Sequence, residues 1–464
     1  MKQRRQHSFK ALPRNQQGAV LILVVVAMTA ILMMAALALD GGHMLMNKAR
    51  LQNAVDAAAL SGAKTLSRLE GDKSDDCFEA EKAALATFTL NARAPGNEEL
   101  LKAMGTGNDA AAAFVMVKFA PSVYGDDDHS FYGFSSCNEE TPARYVQVSV
   151  PSYGLAEFFW GVFGDDLGDK TVAAVATAGP SPTAAPCDLA PIVVCGVDTP
   201  GTYFGYEFGD LEVLKTAAND ESLANGNYQL LDFGSGASTV GDLMAGGGHT
   251  CPLVGENVTT KPGNTVGQAI SGLNTRFGDY TGDFKKSADD YPPDYVITYS
   301  KEGGGAALEL SDTGVIKYAG TDFSVQSDAD GNIYYSPDGS TKIDLLDYHD
   351  WKNASDTCVA NNGVGCTADG AFERRVLKVV VGNCAGLKGG ATQIPVLGFG
   401  CFFLVQPGIH AGGDAQIYGQ FIKECEGDGV AGPTPATDVG PQIIQLYKTY
   451  IKRPDGSWEA STDS

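Results

Sequence analysis

The sequence predicts an α+β protein: an N-terminal transmembrane helix continuing into a helix-plus-antiparallel-sheet unit, then a mostly β, disulfide-bearing second domain. Three observations predict it. Gly18 to Leu39 runs 22 residues without a charge. Beyond it, apolar residues recur at helical three-to-four spacing and then give way to short β-branched runs between turn residues. All ten cysteines lie after the uncharged run.

The uncharged run spans roughly 33 Å as a helix, enough for a bilayer core of about 30 Å. It is apolar all round, unlike the single stripe of a core helix. Residues 1–17 carry Lys2, Arg4, Arg5, Lys10 and Arg14 and no acid, which places them in the cytoplasm and the bulk of the chain outside it. A cleaved signal peptide is the alternative, with Ala36-Leu37-Ala38 as its cleavage site. The apolar region of such a peptide is usually about 7–15 residues, so a retained anchor at 18–39 is favoured. The segment 51–464 carries a net charge of −29, which keeps a surface soluble and argues against nucleic acid as a partner.

After Asp40-Gly41-Gly42, an amphipathic helix is expected over about Met44 to Leu69, with the two glycines as a weak point between it and the anchor. Leu51, Val55, Ala58 or Ala59, Gly62, Leu66 and Leu69 form its apolar face. A second helix is expected from Asp76 to Asn91. Strands are expected at Phe114–Phe119, Arg144–Val150 and Thr171–Ala178, closing an α+β unit over 40–180. Pro180 to Pro186 reads as a linker.

A β-rich domain is then expected over 181–452. Its strand candidates are Ile192–Val194, Tyr295–Ile297, Arg375–Val381, Phe402–Val405 and Ile443–Ile451, with a hairpin around Ile333–Tyr335 between two Asp-Gly turns. Residues 453–464 are expected to form a disordered tail.

Cys77, Cys137, Cys187, Cys195, Cys251, Cys358, Cys366, Cys384, Cys401 and Cys425 are disulfide candidates, because an even count confined to the exported part suits an oxidising compartment. The pairing stays open. Cys187–Cys195 and Cys358–Cys366 are spaced to close short loops, and Cys77–Cys137 to tie a helix to a later loop. No C-x-x-C supports a zinc ribbon or a thiol redox pair.

No motif carries chemistry in full. Gly234-Ser235-Gly236 fails the phosphate-loop and nucleophile-elbow templates. Asp328, Asp330 and Asn332 mimic the start of a calcium loop, but Ile333 and Gly339 stand where it needs Gly and Glu, so a turn is expected. His249 and Cys251 lack a third metal ligand. His349-Asp350-Trp351 reads as a surface turn, and Phe399, Phe402 and Phe403 as core. Arg276, Arg374 and Arg375 are expected to pair with local acids. Thr260 to Gly278 suggests a Pro-Gly turn followed by a short helix, without a chemical role. No catalytic residues, metal ligands or cofactors are therefore expected.

The segment Gln16 to Leu66 resembles the N-terminal module of Tad (tight adherence) or Flp pilus-assembly proteins of the TadG type. The residues carrying it are Gly18 before the apolar run, Asp40 after it, and the string Leu51, Gln52, Asn53, Ala54, Val55, Asp56, Ala57, Ala58, Ala59, Leu60, Ser61, Gly62 and Ala63. "YVQVSV" and "KTVAAVATAG" look like the strand pair closing a pilin-like unit. "CDLAPIVVC", "TKPGNTVGQAISGLNTRFG" and "RRVLKVVV" are similar to the C-terminal region of some members.

The resemblance implies a bacterial, single-pass inner-membrane protein of a Tad/Flp adhesive pilus system, not an enzyme. Its partners would be other envelope or pilus-assembly proteins, with most of the chain in the periplasm. Prepilin processing would need Glu five residues after Gly18, and Leu23 stands there. A permanent tether is expected instead. The D-x-S-x-S metal site of many members is absent. A generic envelope-binding module for a glycan or surface receptor, and an exported hydrolase, are the alternatives.

Overall fold

In the computed structural model, the described residues are 17–68, 74–107, 109–123, 131–137, 143–159, 169–197, 203–216, 227–233, 236–246, 251–261, 266–300, 308–328, 330–361, 363–411, 414–427, 430–431, 440–452 and 457–461. The expected cytoplasmic segment 1–17 lies outside them except for Gln17.

Helix α1 (Gln17–Arg68) runs unbroken for 52 residues, about 78 Å. Gly41 and Gly42 do not interrupt it, although each costs a helix about 1 kcal/mol relative to Ala. The expected weak point is therefore continuous helix. Of the described helices, α1 alone is long and apolar enough to cross a membrane. Its side chains from Val20 to Leu39 are almost all exposed, whereas from Leu51 to Leu66 one face is buried.

The chain divides into two units, 1–180 with 444–464, and 181–443. In the first, α1 packs on α2 (Ser74–Ala92), and both cover an antiparallel sheet. Two short helices, α3 (Glu98–Met104) and α4 (Ala110–Phe114), lead into β1 (Met116–Ala120), β2 (Tyr145–Gly154) and β3 (Thr171–Ala185). The expected first strand starts two residues late because Ala110–Phe114 closes a helical turn, with Val115 N donating to Ala111 O.

Register explains the sheet's inner face. Val146, Val148 and Val150 pair with Ala178, Ala176 and Ala174. Each branched side chain thus faces a small one, and all six are buried under the helices. A disulfide joins Cys77 on α2 to Cys137.

Two expectations at the boundary are corrected. Pro180 to Ala185 continue β3 rather than forming a linker. The Pro180 carbonyl accepts from Tyr145 Oη and Tyr447 Oη. The final segment joins the first unit and does not form a single strand over 443–451. Gly440–Tyr447 ends before a second strand, Tyr450–Lys452, which pairs with Trp458–Ala460 in the expected tail. Phe131 stacks on Tyr450 and meets Trp458 edge-on, so aromatic burial orders those tail residues.

In the second unit, six strands close a ring. Asp414–Ile422 pairs with Leu211–Thr216, then follow Asn227–Leu230, Ile192–Gly196, Val376–Asn383 and Gln393–Leu404, which pairs back with Asp414–Ile422. Alternation along the strands divides the core. Leu377, Val379, Val381, Phe402 and Leu404 point into the cluster that includes helix residues Val240, Met244, Ile270 and Leu273. Val376, Cys401 and Phe403 face the opposite side, against Trp351 and Ile333. The expected hairpin is present as Val325–Ser327, Ile333–Tyr335 and Ile343–Asp344.

The second unit's disulfides are Cys187–Cys251, Cys195–Cys384, Cys358–Cys366 and Cys401–Cys425. The short loop suggested between Cys187 and Cys195 is not formed. Cys195 ends a strand beside the parallel strand that leads to Cys384, which brings those two together.

Tyr295–Ile297 is not a strand. The Asp294 carboxylate takes the Val296 N–H, and Arg375 takes the Val296 carbonyl, so side chains occupy the backbone groups a ladder would need.

Candidate functional site

The functional reading rests on α1 and what it touches. Leu51, Ala54, Val55, Ala58, Ala59, Ala63 and Leu66 recur every three to four residues and are all buried. They meet Cys77, Ala80, Ala84, Phe88 and Ala92, spaced likewise along α2. Small side chains let the two helices approach closely. At Gly62 the approach is tight: an added Cβ would lie 3.2 Å from the Ala80 carbonyl oxygen, from Ala84 Cβ and from Val146 Cγ1.

The polar residues of the same string tie the helix to the sheet. Gln52 Nε2 donates to Val175 O at 3.1 Å and to Asp56 Oδ1 at 2.8 Å. One turn earlier, Lys48 donates to Ala173 O. Two successive turns therefore grip alternate carbonyls of β3. Partial burial raises the Asp56 carboxyl, against the lowering effect of the Gln52 amide. Ala57 and Leu60 flank this face half-buried, and Asn53 is exposed.

Asp40 is the first charge after the apolar run, and it is fully buried. Its Oδ1 accepts from Lys170 Nζ at 2.8 Å and from Phe158 N at 3.1 Å, and its Oδ2 accepts from Phe159 N at 2.7 Å. Both side chains of the ion pair are shut off from solvent. Burial pushes the Asp40 carboxyl up. The Lys170 hydrogen bond, the two N–H donors and the ammonium charge outweigh it and hold the group at about 2.

Lys170 spends its other donors on Ala156 O at 2.8 Å and His43 Nδ1 at 3.0 Å. His43 Nε2 lies 3.2 Å from Glu99 Oε2. The end of the β2–β3 hairpin is thus latched to α1 one residue beyond Leu39. Asp40 carries a sequence signal as the lone acid after a long apolar run. Lys170 opens the "KTVAAVATAG" string, but its partnership across 130 positions has no local signal.

The anchor residues are placed as follows. Gly18, Leu23 and Leu39 all lie in α1, with Leu23 71% exposed and Leu39 exposed.

The remaining sequence candidates fall in the second unit and do not converge. Gly234, Ser235 and His249 lie outside the described residues, and Cys251 is disulfide-bonded to Cys187. Asp328 Oδ1 accepts from Asp330 N, Asn332 N and Asn332 Nδ2, which is a turn closed on itself. His349, Asp350 and Trp351 are corrected from a surface turn to the start of a helix, Tyr348–Ala360, capped by Asp347. Trp351 is buried and donates from Nε1 to Asp294 Oδ1 at 2.7 Å.

The arginines mostly bind backbone, not acids. Arg375 is buried and donates to the carbonyls of Val296, Thr298, Leu404 and Val405, using all five of its N–H groups. Arg276 donates to Met244 O and Arg374 O, and Arg374 to Pro292 O and Ala245 O. Burial pulls the Arg375 guanidinium down to about 10, with Asp294 opposing. These residues staple loops to the strand ring. The helix expected within Thr260–Gly278 is present as Val266–Asn274, and Phe399, Phe402 and Phe403 are core. Among the described residues, no group of three or more His, Cys, Asp or Glu is placed to hold a metal.

No curated protein and no solved structure matches the chain. Residues 18–65 match the model of the Tad family, described as putative Flp pilus-assembly TadE/G-like. The matched span begins with the apolar run, includes Asp40 and ends in the small-residue face on α2. The N-terminal segment 18–65 is thus similar to the TadE/G-like module of Flp pilus-assembly proteins.

Proposed function

We propose that this protein is an inner-membrane-anchored structural component of a Tad/Flp adhesive pilus system that works by protein–protein contact and has no catalytic role. The first 17 residues lie in the cytoplasm, 18–39 cross the membrane once, and the two units stand in the periplasm. The observation that carries this reading is the division of α1. Its matched helix is apolar and exposed through Leu39, then turns amphipathic and packed from Asp40 onward. A helix serving only a soluble core would not leave eighteen apolar positions between Val20 and Leu39 bare. Leu23 favours a retained tether, since no buried carboxylate pulls this helix out of lipid. The five disulfides suit an oxidising compartment.

Envelope fractionation tests the anchor: the protein should stay in the membrane pellet after alkaline carbonate wash, and release into the supernatant would overturn the tether. Deleting the gene tests the pilus role. Loss of surface pili is expected. Normal pili with a retained anchor would replace this role with that of a general envelope-binding module.

A further inference from the structure

We infer that the segment Leu155–Phe159 is a second membrane contact, with Phe158 and Phe159 seated at the headgroup–acyl boundary beside the exit of α1. This rests on the anchored reading above and goes beyond it.

Depth comes first. The uncharged run ends at Leu39, and the Asp40 carboxylate binds the backbone N–H groups of both Phe158 and Phe159. These phenylalanines are therefore held within a hydrogen bond of the residue that leaves the bilayer core. Leu155 N donates to Lys170 O, which fixes this end of the β2–β3 hairpin in the same place.

Surface comes second. The two rings are 54% and 48% exposed, although each is large and apolar. Phe158 leans on His43, with ring centroids 5.2 Å apart, and lies under the Lys170 ammonium. More than half of the Phe158 surface remains exposed. The exposed apolar surface of α1 reaches the same level through Leu37 and Leu39 and continues past it at Leu45 and Met46. The bare rings thus continue a surface already assigned to lipid, and Phe and Leu supply the apolar face of segments that lie at the headgroup–acyl boundary.

Charge comes third. A cation and a carboxylate at the edge of a bilayer are tolerated when they satisfy each other. Asp40 and Lys170 do so out of solvent. Glu157 is exposed beside the rings, which limits the contact to headgroup depth.

The test places a photoreactive benzoylphenylalanine at position 159 of the full chain, reconstituted in vesicles of phosphatidylethanolamine and phosphatidylglycerol. The control carries it at 78. Phe78 is equally exposed on α2 but lies near Ala80, which meets Gly62, about 33 Å further along α1 than Asp40. After irradiation, position 159 should gain the mass of one phospholipid, and position 78 should not. A companion Asp40→Asn chain, which weakens the latch, should lose part of the adduct at 159. A protein adduct at 159, or no lipid adduct there in protein that survives alkaline wash, overturns the contact and leaves the anchor standing. Release from the vesicles by alkaline wash strikes the anchor itself.

Discussion

The two halves of α1 obey different rules although they form one helix. From Val20 to Leu39, hydropathy alone matters: large side chains point in every direction and almost none touches the rest of the chain. From Leu51 to Leu66, shape matters. The buried positions are mostly Ala, with Leu at the ends, and α2 fits against them down to the bare backbone of Gly62. A lipid-facing surface tolerates exchange among apolar residues, because hydrocarbon chains rearrange around them. A packed face does not, because its partner atoms are fixed. The family match covers both halves, so its two parts have different physical meanings.

Truncation gives the widest separation between the halves. Phe88 is completely buried between α1, α2 and the sheet. Phe88→Ala should destabilise the first unit by about 3–5 kcal/mol. Leu32→Ala, in the exposed half, should change folding stability by less than about 0.5 kcal/mol. Urea midpoints of the full chain in detergent measure both. Equal losses would mean that the exposed half packs on something within the protein.

Enlargement is the next largest effect. Gly62→Ala adds a Cβ at 3.2 Å from three neighbours, and the better helix propensity of Ala, about 1 kcal/mol, offsets that crowding. Gly62→Val gains less propensity and drives methyls toward the Ala80 carbonyl and Val146. It should cost about 1–3 kcal/mol relative to Gly62→Ala. If the two variants melt together, the approach of α1 to α2 is looser than the distances imply.

Much of this contrast was legible from the residues. The unbroken apolar run, the three-to-four spacing from Leu51, and the strands at Tyr145 and Thr171 all announce themselves locally. What stayed hidden depends on chain positions far apart. Lys170 meets Asp40 across 130 residues and Cys195 meets Cys384 across 189, and no spacing rule connects them. The ring of six strands is equally invisible, since pairing order is not written in any one strand. Turn residues also misled. Pro180 and Pro182 read as a linker, yet β3 passes through them. Tyr295–Ile297 looks like a strand, yet Asp294 and Arg375 hold its backbone. The tail gains its strand from aromatic partners more than 300 positions upstream in the case of Phe131.

The junction of the two halves supplies the most specific effect. Asp40 is held at about 2 in the folded chain, against 3.8 for an unperturbed aspartate. A carboxylate with a depressed folded value contributes stability that is present above the unfolded value and lost as pH falls through the folded one. Its contribution should therefore be complete above about pH 4 and disappear toward pH 2. In Asp40→Asn the corresponding slope in urea midpoint against pH should be missing, whereas at neutral pH that variant should be the less stable chain. The two curves should converge as the acid limb is reached. Parallel curves throughout would mean that the carboxylate is not charged against Lys170, and the latch between tether and sheet would then rest on the Phe158 and Phe159 N–H groups and the Lys170–His43 contact.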